Sequence, residues 1–338
     1  MLEVLHRNAA VASFLKSDPI GSARTGATPN TVIHRQGKSA VRWFHPSVPA
    51  TAAPVVIVMP LINTWTVWDL LPGRSVVERL LEAGVPVYLV DWGRPGKEDA
   101  ARPLSDYADV LLGRVFDRVR RHATSQAYPQ GLDAIGYCVG GTFLAVHLAL
   151  HPEQVGRAAF VCTPIDFHQS GRLATWASPS DFPLDAIVDN LGNYPADMMR
   201  SSFRWLRPSG VTRKWVSLWE HAEDPAFQQL WAALEQWNDD NVDFPGETYR
   251  EYVRRCYFDN ALVAGGWQVG NRPVSLANVK VPALSIAAAQ DHIVPPPAAH
   301  ALASCWGGPV ETVTINGGHV GVSVGRKLPA TLIAWLRA

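Results

Sequence analysis

The chain has 338 residues, 47% of them hydrophobic and 18% charged, enough apolar material for one large α/β domain with insertions or two modest domains. Thirty Lys and Arg balance thirty Asp and Glu, which argues against nucleic acid as the main partner and against a broad basic membrane-binding face. No apolar run reaches the length of a transmembrane span, and the opening MLEVLHRNAAVASFLKSDPI lacks the pattern of a secretory signal.

Residues 1–52 read as a lead-in, with TPNTVIHRQGKSAVRWF as edge strands or flexible chain. APVVIVMP (53–60) is a β-branched run stopped by proline, the pattern of a buried strand, and SVVERLLEAG follows with helical spacing and a glycine stop. VPVYLVDWG predicts a second buried strand, LSDYADVLLGRVFDRVRRHA an amphipathic helix, LDAIGYC a third strand, GGTFLAVHLALHP a helix and RAAFVCTP a fourth strand. Apolar strands alternating with helices imply a mostly parallel sheet covered by helices on both faces. The rhythm breaks after Pro164. Residues 166–278 read as helical and irregular and hold seven of the thirteen tryptophans. A strand in VKVPALSIAAAQD, a helix, the strand VETVTI and the helix LPATLIAWLRA then complete the chain. The expected organisation is an α/β core in two parts, 53–165 and 279–338, with a cap over 166–278 inserted between them. The four cysteines lie far apart without a CxxC pair and read as free thiols of a cytoplasmic chain.

Gly136-Tyr137-Cys138-Val139-Gly140 falls between a predicted strand and a predicted helix, the context of a nucleophile elbow. The flanking glycines leave room for a strained turn, and the helix N-terminus favours a thiolate and offers N–H groups to an oxyanion. An elbow of this kind expects an acid and then a histidine, each after a late strand. Asp291 follows the strand of SIAAAQDHIVPPP, and His319 lies in the glycine-rich loop of VTINGGHVG. His319 would then take the proton of Cys138, and Asp291 would fix the imidazole. The N–H of Val139 is one expected oxyanion donor, and the second is expected from the loop after the first core strand, MPLINTW, with Ile62 the first choice and its neighbours next. His292 is a candidate for a supporting or substrate-facing role. No metal and no cofactor is expected. A cysteine nucleophile attacking a thioester keeps the acyl group activated, which suits relay to an acceptor better than hydrolysis. Relay requires water exclusion, which a Trp-rich cap could provide.

With these residues in hand, the chain resembles the polyhydroxyalkanoate synthases, which are α/β-hydrolase-type enzymes. The segments VYLVDWGRP, GYCVGGT, TPIDF, LGNYP, FRWLRP, WNDDNVDFPGETYREY, VPALSIAAAQDHIVPP and GGHVG look like family segments in family order, from about residue 25 to the C-terminus. The resemblance places the family's nucleophile, acid and base on Cys138, Asp291 and His319. It implies polymerisation of (R)-3-hydroxyacyl-CoA, short-chain units such as 3-hydroxybutyryl-CoA included, into polyester with release of CoA, at the surface of polyester granules. The short lead-in and the segments GATPNTVIHRQGKSAVRWFHP, VDNLGNYPADMM and GETYREYVRRCYFDN look most like the class III catalytic subunit, implying a second subunit and a dimer of this chain. QWNDDNVDFPG departs from that pattern toward the class I and II cap. Arg172, Arg204 and Arg207 are candidates for holding the CoA phosphates. A hydrolase or small-molecule acyltransferase on the same three residues, and a non-catalytic binding module on a hydrolase fold, are the alternatives.

Overall fold

The structure is a computed structural model that describes residues 2–338. An eight-stranded sheet forms its centre, in the order β1-β2-β4-β3-β5-β6-β9-β10. β1 (Asn30–Gln36) and β2 (Ser39–Phe44) form an antiparallel pair at one edge. β3 (Val55–Val58), β4 (Val87–Asp91), β5 (Asp133–Tyr137), β6 (Ala158–Val161), β9 (Ala283–Ala288) and β10 (Val310–Ile315) run parallel. The short β7 (Gln268–Val269) and β8 (Arg272–Pro273) make a separate ribbon. β3, β5 and β6 are buried along their whole length, as parallel strands covered on both faces must be.

Right-handed crossovers set the layers. The chain steps one way from β3 to β4, through the helix Val76–Glu82, and then back across β3 to β5, through the helix Leu112–Ser125. The two helices therefore lie on opposite faces. Val76–Glu82 packs with the last helix, Lys327–Arg337, and Leu112–Ser125 packs with Val139–Leu150. The helix Val139–Leu150 is buried from Val139 to Ala149, which explains why its sequence is apolar all round rather than along one stripe.

Between β6 and β9 the chain leaves the sheet and builds a run of helices, the longest being Ala196–Leu206, Ser209–Glu220 and Pro225–Asp239. The edge strands expected in TPNTVIHRQGKSAVRWF are β1 and β2, whereas the stretch before them, for which no element was expected, is partly helical. Residues Leu2–Lys16 form a helix that lies against Ser209–Glu220 and the helix after it. Val11 and Phe14 pack on Leu218, Trp231 and Ala232, Trp219 Nε1 donates to Asn8 Oδ1 at 2.9 Å, and the Arg7 guanidinium sits over the Trp219 ring. Farther along, the N–H and hydroxyl of Thr28 both donate to the buried carboxylate of Asp69, tying this segment to the core. Among the described residues no helix is long and apolar enough to cross a membrane.

The helix expected over LSDYADVLLGRVFDRVRRHA begins with a π-turn at Asp106–Leu111. Within that widened turn the carbonyl of Ala108 accepts a 2.8 Å hydrogen bond from Nδ1 of His147, a fully buried side chain stacked on Phe116. Burial, helped by nearby His151, lowers the His147 imidazole to about 4. A depressed histidine contributes stability that is present above pH 6.5 and is lost as pH falls toward 4. The stability difference between wild type and His147→Gln in urea unfolding should therefore change by about 3 kcal/mol across that window, the wild type losing more as pH falls.

Candidate active site

β5 delivers Cys138 to the carboxyl edge of the sheet. Its N–H continues the ladder to Val161 O at 3.0 Å, and its carbonyl accepts from the N–H groups of Gly141 and Thr142, the first turn of the helix. Between these anchors Cys138 adopts φ 51°, ψ −129°, a conformation that costs a non-glycine residue about 1–3 kcal/mol. Gly140 is what lets the turn sit so low. A Cβ there would lie 2.3 Å from the carbonyl oxygen of Met59 and 2.4 Å from that of Val58, at the end of β3.

Asp291 follows β9 and turns back on it, its N–H donating to Ala288 O at 3.1 Å. One carboxylate oxygen, Oδ1, accepts from the N–H groups of Ile293 and Val294 at 2.8 and 2.9 Å. The other, Oδ2, accepts from His319 Nδ1 at 2.6 Å. Both side chains are almost fully enclosed. The His319 loop enters through Gly317 at φ 141°, whose N–H and carbonyl are both bound to Gln290, beside the acid. With Nδ1 donating to the carboxylate, Nε2 is left for the sulfur. Burial opposes a charged His319 imidazole, but Asp291 and then Cys138 outweigh it and push the group up to about 10. A second thiol, Cys162, stands just behind. Its sulfur, an Asp291 oxygen and a His319 nitrogen all fall within 4.8 Å of one another. Burial, reinforced by the Asp291 charge, holds that thiol well above its ordinary range, so it stays neutral.

Two cavities meet at Cys138 and Ile62. The larger, about 390 Å³, runs past His319, Asn63, Phe203 and Trp237 to Arg204, Arg207 and Lys214. Lys214 pairs with Glu235, and Arg200 with Asp197 and Asp239, whereas Arg204 and Arg207 have no carboxylate partner among the described residues. The smaller, about 140 Å³, is walled by Val139, Met199, Phe203, Tyr249, Tyr252 and Tyr257. The loop after β3 is held against the helical segment by Trp237 Nε1 donating to Thr64 O at 2.8 Å and Val242 N donating to Ile62 O at 3.2 Å. Neither the Ile62 nor the Val139 N–H has an acceptor among the described residues.

Of the residues singled out in the sequence, Cys138, Asp291, His319, Val139 and Ile62 come together. His292 does not: its side chain is exposed, and Ile293 faces the larger cavity in its place. Arg172 does not either, since it is exposed and its guanidinium donates to the carbonyl of Leu206. Sequence reading passed over Tyr137, Cys162 and the aromatic wall of the smaller cavity. For Tyr137 the available signal was a hydroxyl-bearing ring at the end of a buried strand, next to Cys138.

The strand order, the elbow and the acid–histidine pair at the ends of β9 and β10 define a protein of the α/β-hydrolase class. The family model described as alpha/beta hydrolase fold matches residues 62–325. Among solved structures, a monoacylglycerol lipase from Paleococcus ferrophilus aligns with 88% of this chain and 97% of its own at a TM-score of 0.54 and 15% identity, which shows the fold alone. Within that class the chain is 33% identical over 310 residues to the poly(3-hydroxyalkanoate) polymerase subunit PhaC of Allochromatium vinosum, covering 90% of this chain and 85% of that one. It is 31% identical to the protein of the same name from Synechocystis sp., covering 93% and 85%. The chain belongs to the PhaC family of poly(3-hydroxyalkanoate) polymerases, which are acyltransferases.

The closeness of Gly140 to two carbonyls makes it a sharp test of the turn. Gly140→Ala should lower stability by about 3 kcal/mol in chemical denaturation and slow alkylation of Cys138, because the helix must back away from β3.

Proposed function

We propose that this protein polymerises short-chain (R)-3-hydroxyacyl-CoA into polyester through a thioester on Cys138. The observation that carries the reading is one sulfur, beside an enclosed Asp–His pair, at the junction of a cavity that reaches Arg204 and Arg207 and a cavity walled by aromatic rings. The acyl-CoA enters along the larger cavity with its phosphates toward Arg204 and Arg207, and its acyl group passes Cys138 into the smaller one. A volume of about 140 Å³ suits a chain of a few carbons.

The reaction runs in two balanced halves. The Cys138 thiol gives its proton to His319 and attacks the thioester carbonyl, and the N–H groups of Val139 and Ile62 receive the oxyanion. The intermediate collapses by breaking the bond to the CoA sulfur, which leaves with the proton from His319. In the second half the 3-hydroxyl of another hydroxyacyl unit gives its proton to His319 and attacks the Cys138 thioester. An ester forms, and the released sulfur recovers the proton. Asp291 keeps the imidazole oriented and balances its charge through both halves. The sulfur matters because a thioester stays reactive toward an alcohol, and the apolar walls disfavour water as the competing acceptor. A second subunit of the class III type, a dimer of this chain, and location at the polyester surface belong to the same proposal.

Incubation with 3-hydroxybutyryl-CoA, with and without a candidate second subunit, should release CoA together with solvent-extractable polymer, and Cys138→Ala should abolish both. CoA release with only monomeric acid would replace polymerase by hydrolase, and an unchanged rate in Cys138→Ala would remove the enzyme reading altogether. Replacing Arg204 and Arg207 together by Ala should raise KM for the CoA thioester about tenfold with little change in kcat, as expected when an interaction is lost equally from ground and transition states. The same pair should leave an uncharged N-acetylcysteamine thioester unaffected.

A further inference from the structure

We infer that Tyr137 is a positioning residue for His319, setting the distance between base and sulfur from the residue next to the sulfur itself. This rests on the reading of Cys138 as nucleophile and His319 as its base. The Tyr137 hydroxyl donates to the backbone carbonyl of His319 at 3.2 Å. Its ring also stacks on the imidazole, with centroids 5.5 Å apart and planes 29° apart. The ring also packs against Trp68, fully buried, with centroids 5.5 Å apart. The ring thus links a buried wall to the base. Burial, followed by the nearby Cys162 and Cys138, pushes the phenol far above its usual range, so the hydroxyl keeps its proton and remains a donor.

The need for such a clamp comes from the loop. His319 follows Gly317 and Gly318, the residues with the most backbone freedom to lose. Gly317 is tied to Gln290 and the Gly318 carbonyl to Val322 N, but the His319 carbonyl is held by Tyr137. Nε2 must stay within hydrogen-bond reach of the sulfur for proton transfer, and misplacement by about 1 Å costs rate steeply. Because Tyr137 and Cys138 are joined by one peptide bond, any shift of the strand end moves the sulfur and the clamp together.

The test is the pH dependence of Cys138 alkylation by iodoacetamide, alongside steady-state CoA release. Tyr137→Phe keeps the ring and loses the donor. Loss of one hydrogen bond corresponds to roughly a tenfold fall in kcat, with KM within about twofold. The acid limb of the alkylation profile should move to higher pH, and Tyr137→Leu should move it farther. Trp68→Phe loosens the same stack without touching the hydroxyl, and should lower thermal stability while moving the profile less than Tyr137→Phe does. A Tyr137→Phe profile that superimposes on the wild type, or a Trp68→Phe profile that shifts as far, would overturn the inference. Alkylation needs no acyl-CoA, so the outcomes separate: a wild-type Cys138 no more reactive at neutral pH than free cysteine would bring down the nucleophile reading as well.

Discussion

The whole arrangement depends on one backbone turn at the carboxyl end of β5. A cysteine is held in a left-handed region of conformational space by a ladder bond to β6 on one side and the first turn of a buried helix on the other. The strain is local and the restraint is not. β3 must come within touching distance of Gly140, so the elbow exists only if β3, β5 and the helix Val139–Leu150 are all in register. The apolar core behind the turn is therefore part of the site. Its close packing leaves the sulfur no other direction than outward, into the space where the two cavities join.

Around that sulfur the electrostatics are arranged by enclosure. Asp291 accepts from two backbone donors and one imidazole, so its charge is bound from three directions. A buried pair of this kind is a poor source of net stability, but losing either member leaves an unmatched charge in a dry place at a cost of about 3–5 kcal/mol. Such an arrangement is maintained for what it does to the imidazole. The neutral Cys162 thiol behind it adds no competing charge.

Much of this could be seen in the amino-acid order because the relevant signals are local. A β-branched run ended by proline marks β3, short apolar segments mark β5 and β9, and the positions of Cys138, Asp291 and His319 follow from where β5, β9 and β10 stop. What escaped is what depends on distant partners. The first helix carries no clean apolar stripe: Val4 and Leu5 are exposed while Val11 and Phe14 are covered, and only the cleft beside Trp231 makes sense of that division. The π-turn at Asp106–Leu111 answers to His147, nearly forty residues later, and the bond from Tyr137 to His319 spans 182 positions. His292 and Ile293 could not be ranked, because which of two neighbours faces inward is decided by the turn that Asp291 caps.

The contact between the first helix and the segment after β6 has a mechanical corollary. Ser209–Glu220 contributes Gly210, Val211 and Lys214 to the rim of the larger cavity, and its far end is gripped by Asn8 and Arg7. From Ser17 to Ala27 the chain is a leash whose fixed end is the knot of Thr28 on Asp69. Drawn out fully, those eleven residues could reach about 35 Å, but they are coiled around the short helix Pro19–Ser22. Any outward swing of the rim must uncoil that slack or peel Phe14 from Trp231, so the first few residues of the chain act as a brake on the doorway to an atom at its centre.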